Sequence, residues 1–309
     1  MNKSVLITGA TGLIGKKLVS KLCEKGSFIK VLTTNKEKAT EIFKKHYTVQ
    51  IYNWKKYEDP FSMSGLINEV DAVVNLAGTN ISSKRWNKKF KSEIYNSRIN
   101  ITHLICESIK FSKKKPECFI NSSGIGIYGF RKDELLTEDS ETGKDFLARL
   151  CTDWESEAIK AFQHGVRVVT LRTGIVLDSK EGALPVLIKP FRYFAGGYQG
   201  SGKQWISWIH IDDIVNMIIF ALNNTSLSGA LNVSSPEPVT NRKFAKAIGS
   251  QLGRPSFFPV PSFVLRIIVG EFAVNLIHGQ KAYPKKAFES GFTFEFPYLK
   301  DALKNLLGS

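Results

Sequence analysis

An α/β fold, built on a doubly wound parallel sheet with a smaller C-terminal lobe, is predicted by three features of the sequence. The first is the opening: Ser4-Val-Leu-Ile-Thr8 is a short apolar run that leads into Gly9-Ala-Thr-Gly12-Leu-Ile-Gly15, and a helical pattern follows from Lys17 to Leu22. The second is the unbroken apolar character of Val5, Leu6 and Ile7, which suits a strand covered on both faces. The third is the alternation of strand and helix patterns through residues 1–175.

Taken in order, strands are expected over 4–8, 28–32, 48–52, 71–76, 117–122 and 166–171, and helices over 12–25, 36–45, 62–69, 88–111 and 145–163. In the opening unit Gly9 allows a tight turn, Gly12 lets the backbone approach a ligand, and Gly15 lets the helix pack against the strand. Thr11, Leu13 and Ile14 complete the turn and the first helical residues, whose N–H groups face outward. Strand, glycine turn and helix N-terminus together form the Rossmann arrangement that cradles a dinucleotide pyrophosphate. Asp71-Ala-Val-Val-Asn-Leu76 ends in Ala77-Gly78, so Leu76, Ala77 and Gly78 are expected along the path of the cofactor. Glu117-Cys-Phe-Ile-Asn-Ser122 ends in Ser123-Gly124-Ile-Gly126 at the same crevice.

After Thr173 the pattern loosens, with glycines at 174, 182, 196, 197, 200 and 202. Asp212 is expected to cap a helix that runs to Leu222, Gly229–Val233 reads as a strand, and Thr240 starts a further helix. Pro255, Pro259 and Pro261 precede an apolar helix expected from Val264 to Leu276. This divides the chain into a dinucleotide-binding domain over 1–175, to which segments such as 205–235 return, and a substrate lobe over 176–309.

The 309 residues are 43% hydrophobic, which supports a large core, and no run reaches the length of a membrane span. The apolar start carries the glycine turn and does not read as a signal peptide. Cys23, Cys106, Cys118 and Cys151 are scattered, with no metal-binding or redox spacing. Free buried thiols in a reducing, cytoplasmic setting are expected. The formal charge of +15 suits nucleic acid, an anionic membrane or a phosphorylated cofactor. The lysines are dispersed, however, and Trp86 and Phe90 sit at helical spacing beside the densest cluster, Lys84 to Lys91, where they read as core contacts rather than base-stacking platforms. Nucleic acid and membrane are therefore set aside as partners in favour of a small-molecule substrate, with the chain a monomer or a homodimer.

The sequence resembles the extended short-chain dehydrogenases/reductases of the nucleotide-sugar epimerase type, and more closely an atypical subgroup, the epimerase family proteins. The blocks that carry the resemblance run in order through nearly the whole chain: Ile7–Gly15, Asn75–Gly78, Lys84–Trp86, Asn96–Asn100, Ser122–Gly129, Leu171–Leu177, Gly202–Asp213 and Glu237–Asn241. The resemblance implies a nicotinamide cofactor and a Ser/Thr–Tyr–Lys set, with Tyr and Lys four residues apart on one helical face. In the helix that should carry them, Leu147 falls at the tyrosine position and Cys151 at the lysine position. The remaining candidates are Ser122 and Ser123 as hydrogen-bond partners of nicotinamide or substrate, and Tyr128 as a proton donor. Arg172 and Arg85 are candidate anion contacts, or members of internal salt bridges. Cys151 reads as a buried thiol, and His210 as a cleft residue or a structural support.

Where NAD-binding members of this class place an acid after the second strand, this chain has Thr33-Thr34-Asn35, followed by Lys36 and Lys38. NADP is accordingly expected over NAD, although the arginine common in the subgroup at position 34 is missing. The segment from Gly200 to Trp208, with Lys203, Gln204 and Trp205, is either a pocket wall or a hairpin that locks the two lobes. Phe257, Phe258, Phe263 and Phe272 read most simply as core of the C-terminal lobe. The expected function is an oxidoreductase or epimerase working by nicotinamide hydride transfer on a small carbonyl or sugar. The alternative is a dinucleotide-binding sensor or scaffold that has lost catalysis.

Overall fold

A computed structural model describes residues 3–308. The chain alternates β1 (Ser4–Thr8), α1 (Leu13–Glu24), β2 (Phe28–Thr33), α2 (Lys36–Phe43), β3 (Val49–Asn53), α3 (Pro60–Ile67), β4 (Ala72–Asn75), α4 (Lys88–Phe111) and β5 (Cys118–Gly124). The short β6 (Leu135–Leu136) precedes α5 (Phe146–Ile159) and β7 (Arg167–Thr173). Next come β8 (Ile175–Leu177), α6 (Ala183–Arg192), β9 (Trp205–Ile206), β10 (Trp208–His210), α7 (Ile211–Asn223) and β11 (Gly229–Val233). The remainder holds β12 (Val239–Thr240), α8 (Asn241–Leu252), α9 (Ser262–Val269), α10 (Ala273–Ile277), β13 (Lys281–Ala282), α11 (Lys285–Glu289) and α12 (Leu299–Leu307).

Seven strands form one parallel sheet in the order β11-β7-β5-β4-β1-β2-β3. Side chains alternate across it, as the period of two requires. Val5, Ile7, Ala72, Val74, Cys118, Ile120, Val169 and Leu171 meet α1, α2 and α7 on one face. Leu6, Val73, Phe119 and Val168 meet α3 and α4 on the other. Both faces are covered, so Val5, Leu6 and Ile7 are all fully buried. Each such side chain contributes about 1.5–3 kcal/mol of burial free energy. A third core, with Leu184, Ile188, Phe191, Phe244, Ile248 and Leu303, joins α6, α8 and α12 into the smaller C-terminal unit. No described helix is long and apolar enough to cross a membrane.

Three expectations are corrected. The apolar helix expected over Val264–Leu276 is broken after Val269, because Gly270 adopts φ +65° and the chain restarts as α10. Phe257, Phe258 and Phe263 are 68%, 47% and 66% exposed, so they are surface and not core; only Phe272 packs inward, on Trp86. The cap of α7 is His210, whose Nδ1 accepts the N–H of Asp212, and not Asp212 itself. Asp212 instead forms an ion pair with Lys17.

His210 is fully buried, stacks on Phe296 with ring centroids 3.9 Å apart, and sits 3.1 Å from Asn305 Oδ1 through Nε2. Burial lowers its pKa, so it is a neutral structural residue that ties α7 to α12. The unfolded chain takes up this proton first on acidification. The contribution of His210 to stability is thus complete above about pH 6.5 and declines as the pH falls below it. Replacement by Asn, which also caps helices, is expected to flatten the dependence of the urea midpoint on pH between about 6.5 and 5.

The glycine turn supplies a second prediction. Gly9 has φ +69°, and a Cβ there would lie 2.5 Å from the carbonyl carbon of Leu76. Gly253 has a similar φ of +61° but nothing within 4 Å of its Cβ position. Gly253→Ala is expected to cost about 1 kcal/mol from backbone strain alone, and Gly9→Ala at least about 3 kcal/mol because strand β4 must also move. Urea unfolding of the two variants measures the difference.

Candidate functional site

The crevice lies at the carboxyl ends of β1, β4 and β5. The helices that follow β1 and β4 leave for opposite faces of the sheet and part the loops above it. A buried polar knot holds the three strand ends in register. Asn75 Oδ1 accepts the Thr8 hydroxyl at 2.6 Å and the Ala77 N–H at 3.3 Å. Its Nδ2 donates to Asn121 Oδ1 at 2.7 Å and to Thr102 Oγ1 at 3.0 Å. Trp154 Nε1 also donates to Thr102 Oγ1, which joins α5 to the knot. Thr8, Asn75, Thr102 and Asn121 are essentially inaccessible to solvent, so every polar atom here needs a protein partner, and each has one.

Above the knot, Gly12 caps α1 with extended backbone and no side-chain hydrogen bond, and no acidic residue enters the first turn. Gly12 N–H donates to Gly9 O at 3.1 Å, and Lys16 N–H is the first to close onto the helix, at Gly12 O. The N–H groups of Leu13, Ile14 and Gly15 therefore have no partner within the helix. A Cβ on Gly15 would lie 2.5 Å from Gly9 O, while one on Gly12 would meet only Gly9 O, at 3.3 Å. Close packing thus explains Gly15, and open space in front of the helix N-terminus explains Gly12. The loop after β8 is pinned beside this N-terminus by the ion pair of Lys16 with Glu181, where Leu13, Asp178 and Ile211 border a cavity of about 270 Å³.

At the end of β2, Thr33 Oγ1 accepts the N–H of Asn35, and Asn35 caps α2 by accepting the N–H of Lys38 at 2.8 Å. Thr34, Lys36 and Lys38 are exposed. No carboxylate stands at this strand end, since Glu37 is also out in solvent on the first turn of α2.

At the end of β5 the candidate polar residues are largely committed to one another. Ser123 Oγ donates to Glu155 Oε1 at 2.6 Å. Arg172 makes a two-pronged ion pair with Glu155, both contacts at 2.9 Å, and also donates to Tyr128 Oη and Glu138 O at 3.0 Å each. Tyr128 is fully buried and donates to Asn232 Oδ1 at 2.6 Å. Burial pushes its pKa up to about 12 against the opposing pull of Arg172. The tyrosine is thus a protonated strut, which departs from its expected role as a proton donor to substrate. Burial also works against the charge of Arg172, but Glu155 more than offsets it and the guanidinium is held firmly ionised. Arg172 accordingly takes the internal salt-bridge alternative rather than that of an anion contact. Ser122 is half-buried and pairs with Leu171 in the sheet; its carbonyl also accepts from Asn121 Nδ2, while its hydroxyl has no partner among the described residues.

Leu147 and Cys151, one turn apart on α5, stand directly against this strand end. Leu147 Cβ is 3.1 Å from the Cβ position of Gly126, and Cys151 Sγ is 3.7 Å from that of Gly124. Burial raises the Cys151 thiol to about 11, so it is neither a nucleophile nor a cation in place of a lysine. The adjoining wall is apolar. Trp86 packs on Phe146 and Phe272 at centroid distances of 5.3 and 5.4 Å, with Leu147 and Ile81 beside them. Trp86 and Phe90 are thereby used as core, and neither is presented as a stacking platform.

The segment from Gly200 to Trp208 is tied mainly within the C-terminal part of the chain, and one of its bonds, that to Asp133, reaches the first domain. Gln204 Nε2 donates to Gln199 O and Leu276 O, Trp205 Nε1 to Asp133, and the buried Trp208 to Glu237 O. Lys281 lies over the Trp205 ring. Arg85 lies close to Gly270, where a Cβ would come within 3.2 Å of its Nε.

Two residues were given no role in the sequence reading. Glu155, the acid that sets the frame of α5, organises Ser123 and Arg172, and Arg98, inside the Asn96–Asn100 block, lies flush against Gly78 with its guanidinium carbon 3.0 Å from the Cβ position of that glycine. A signal for Arg98 was available. It falls on the stripe of Ile94, Thr102 and Ile105 along the buried side of α4, where a charge is out of pattern.

This fold and crevice define a dinucleotide-fold protein of the short-chain dehydrogenase/reductase type. More specifically, the chain belongs to the NAD dependent epimerase/dehydratase family, which it matches over residues 5–234; residues 260–306 match a domain of unknown function, DUF1731. The chain is 41% identical over 306 residues to the chloroplastic epimerase family protein SDR39U1 homolog of Arabidopsis thaliana, covering 98% of this chain and 86% of that protein. It is 38% identical to the epimerase family protein YfhF of Bacillus subtilis, covering 98% of each. Among solved structures, human epimerase family protein SDR39U1 (isoform 2) with NADPH superposes with a TM-score of 0.85 at 30% identity, over 98% of this chain and 99% of the human one.

The commitment of Glu155 to Arg172 is testable. Glu155→Gln leaves the Arg172 charge buried without its carboxylate partner, and is expected to cost about 3–5 kcal/mol in chemical denaturation. Ser122→Ala, at a hydroxyl with no protein partner among the described residues, is expected to stay within about 0.5 kcal/mol of the parent.

Proposed function

We propose that this protein binds a nicotinamide dinucleotide, NADP in preference to NAD, and transfers hydride to or from a small carbonyl or sugar substrate. The observation that carries this reading is the uncapped N-terminus of α1 behind Gly12, at the point where the sheet's connections reverse direction. The residues fit the group: backbone N–H groups without helical partners, open space at the Gly12 Cβ position, and no acid in the first turn to repel phosphate.

Gly9, Thr11, Gly12, Leu13, Ile14 and Gly15 would hold the diphosphate. Thr33 and Thr34 would lie at the adenosine ribose, and Leu76, Ala77 and Gly78 along the cofactor. Lys36 and Lys38, with no carboxylate on β2, favour a 2′-phosphate by charge. The relative solved with NADPH supports the same preference. When bound, the cofactor supplies hydride chemistry at C4 of its nicotinamide. Ser122 offers the one uncommitted hydroxyl at the end of β5 for a hydrogen bond to nicotinamide or substrate. The committed state of Ser123, Tyr128 and Arg172, with Leu147 and Cys151 beside them, favours a second reading: a dinucleotide sensor or scaffold without turnover.

Titration with NADPH and NADH, followed by reduced-cofactor fluorescence, tests the proposal. NADPH is expected to bind at least tenfold tighter than NADH, and Lys36→Glu/Lys38→Glu to remove most of that preference, about 1.4 kcal/mol. Gly12→Val is expected to fold normally and to lose at least tenfold in NADPH affinity. Absence of binding by either cofactor overturns the reading. Tight binding with no oxidation of NADPH across a panel of carbonyl compounds selects the sensor.

A further inference from the structure

Two arginines stand at the crevice, the buried Arg172 and the half-buried Arg98, and only one of them is paired with a carboxylate. Arg172 has Glu155. Arg98 has no carboxylate: Nη1 donates to Ile94 O at 3.0 Å and reaches Ser97 Oγ at 3.5 Å, while Nε and Nη2 have no hydrogen-bond partner among the described residues. Burial lowers its pKa from the ordinary value, although the group stays a cation. Arg98 is only half-buried, so its guanidinium is partly stripped of water while no carboxylate of the protein offsets that loss.

The side chain is also held rigidly. Its guanidinium lies 5.2 Å from the centroid of the Trp154 ring, and Trp154 is itself fixed by its bond to Thr102. The absence of a Cβ at Gly78 makes the room it occupies, and the loop after β4 is tied to α4 at this level by the Thr79 N–H bond to Ser97 Oγ. A fork of donors with two nitrogens unused, beside the loop after β4, is suited to receive an oxyanion.

We propose that Arg98 is the anion-binding residue of this crevice and holds a negatively charged oxygen of the substrate. The cofactor diphosphate is served by the N-terminus of α1, on the proposal above, so Arg98 is left for the other ligand. The neighbouring side chains set its class. Leu147 and the wall of Trp86, Phe146 and Phe272 are apolar, and Tyr128 and Cys151 hold their protons too tightly to give them up. The substrate that fits is a small, mainly apolar compound with a single carboxylate, or with a carbonyl oxygen that gathers negative charge during reaction. A fixed cation then stabilises that charge where no acid is placed to neutralise it.

The test uses 2-naphthoate and its neutral counterpart 2-naphthamide, titrated against intrinsic tryptophan fluorescence with and without NADP, on the parent, Arg98→Met, Arg98→Lys and Gly78→Ala. The parent is expected to bind naphthoate at least tenfold tighter than naphthamide. Arg98→Met should abolish that preference while changing NADPH affinity less than threefold, and Arg98→Lys should retain part of it. Gly78→Ala displaces the guanidinium without removing it, and should lower naphthoate affinity in a protein whose melting temperature stays near the parent's. It decides the matter should Arg98→Met not fold. Equal affinity of the parent for the two probes overturns the proposal, as does an Arg98→Met variant that loses NADPH and naphthoate by the same factor, which would return Arg98 to the cofactor. The titration without dinucleotide stands apart from the cofactor reading, so failure of NADPH to bind and failure of Arg98 are separate results.

Discussion

The amide of Asn75 is the point on which the site depends. Parallel strands β1, β4 and β5 end together, and their last residues must satisfy polar groups that no water reaches. One side chain does most of this, with two donors and a twice-used acceptor shared among Thr8, Ala77, Thr102 and Asn121. Because Thr102 also accepts from Trp154, the same knot sets the distance of α4 and α5 from the sheet. The glycine turn can then sit within van der Waals limits of the loop after β4, and Arg98 is carried on the helix that Thr102 anchors.

A second polar chain ties the sheet to the C-terminal segment. It runs from Ser123 through Glu155 and Arg172 to Tyr128, then to Asn232, whose N–H is held by Glu138. Glu138 also accepts the N–H of Lys286, which places α11. A low-dielectric interior strengthens each of these bonds and makes any vacancy in the chain costly. This explains how residues that sequence patterns assign to chemistry, Tyr128 and Arg172 above all, come to serve as struts. The positions on α5 where the resemblance implies a tyrosine and a lysine hold Leu147 and Cys151 instead.

Legibility differed by kind of signal. The sheet strands were readable because continuous apolar runs such as Val5–Ile7 and Ala72–Val74 have no other use in a globular chain. Their ends moved by one or two residues where pairing, not side-chain type, decides the boundary, as in β5, which extends to Gly124 by its ladder with β7. The region after Pro255 was read poorly. Apolarity there predicted core, yet α9 buries only Leu265 and presents Phe263, Ile267 and Ile268 to the surface. Apolarity shows that a residue can be buried, while burial itself requires a neighbouring element to cover it.

Alone, the sequence determined the fold class, the order of the sheet elements and the turn at Gly9, Gly12 and Gly15, because each rests on chain-local rules: periodicity, backbone conformation and close helix–strand approach. The missing tyrosine and lysine were also plain, since their positions are counted along one helix. Only the tertiary structure decided which polar residues are at liberty. Glu155 meets Arg172 across 17 positions, Tyr128 meets Asn232 across 104, and Asn75 meets Asn121 across 46. Whether an arginine is neutralised within the protein or left for a ligand depends on such distant partners, and no local pattern records them. Arg172 and Arg98 look alike as residues of a basic chain, and the packing of α4 and α5 on the sheet makes one a strut and leaves the other open.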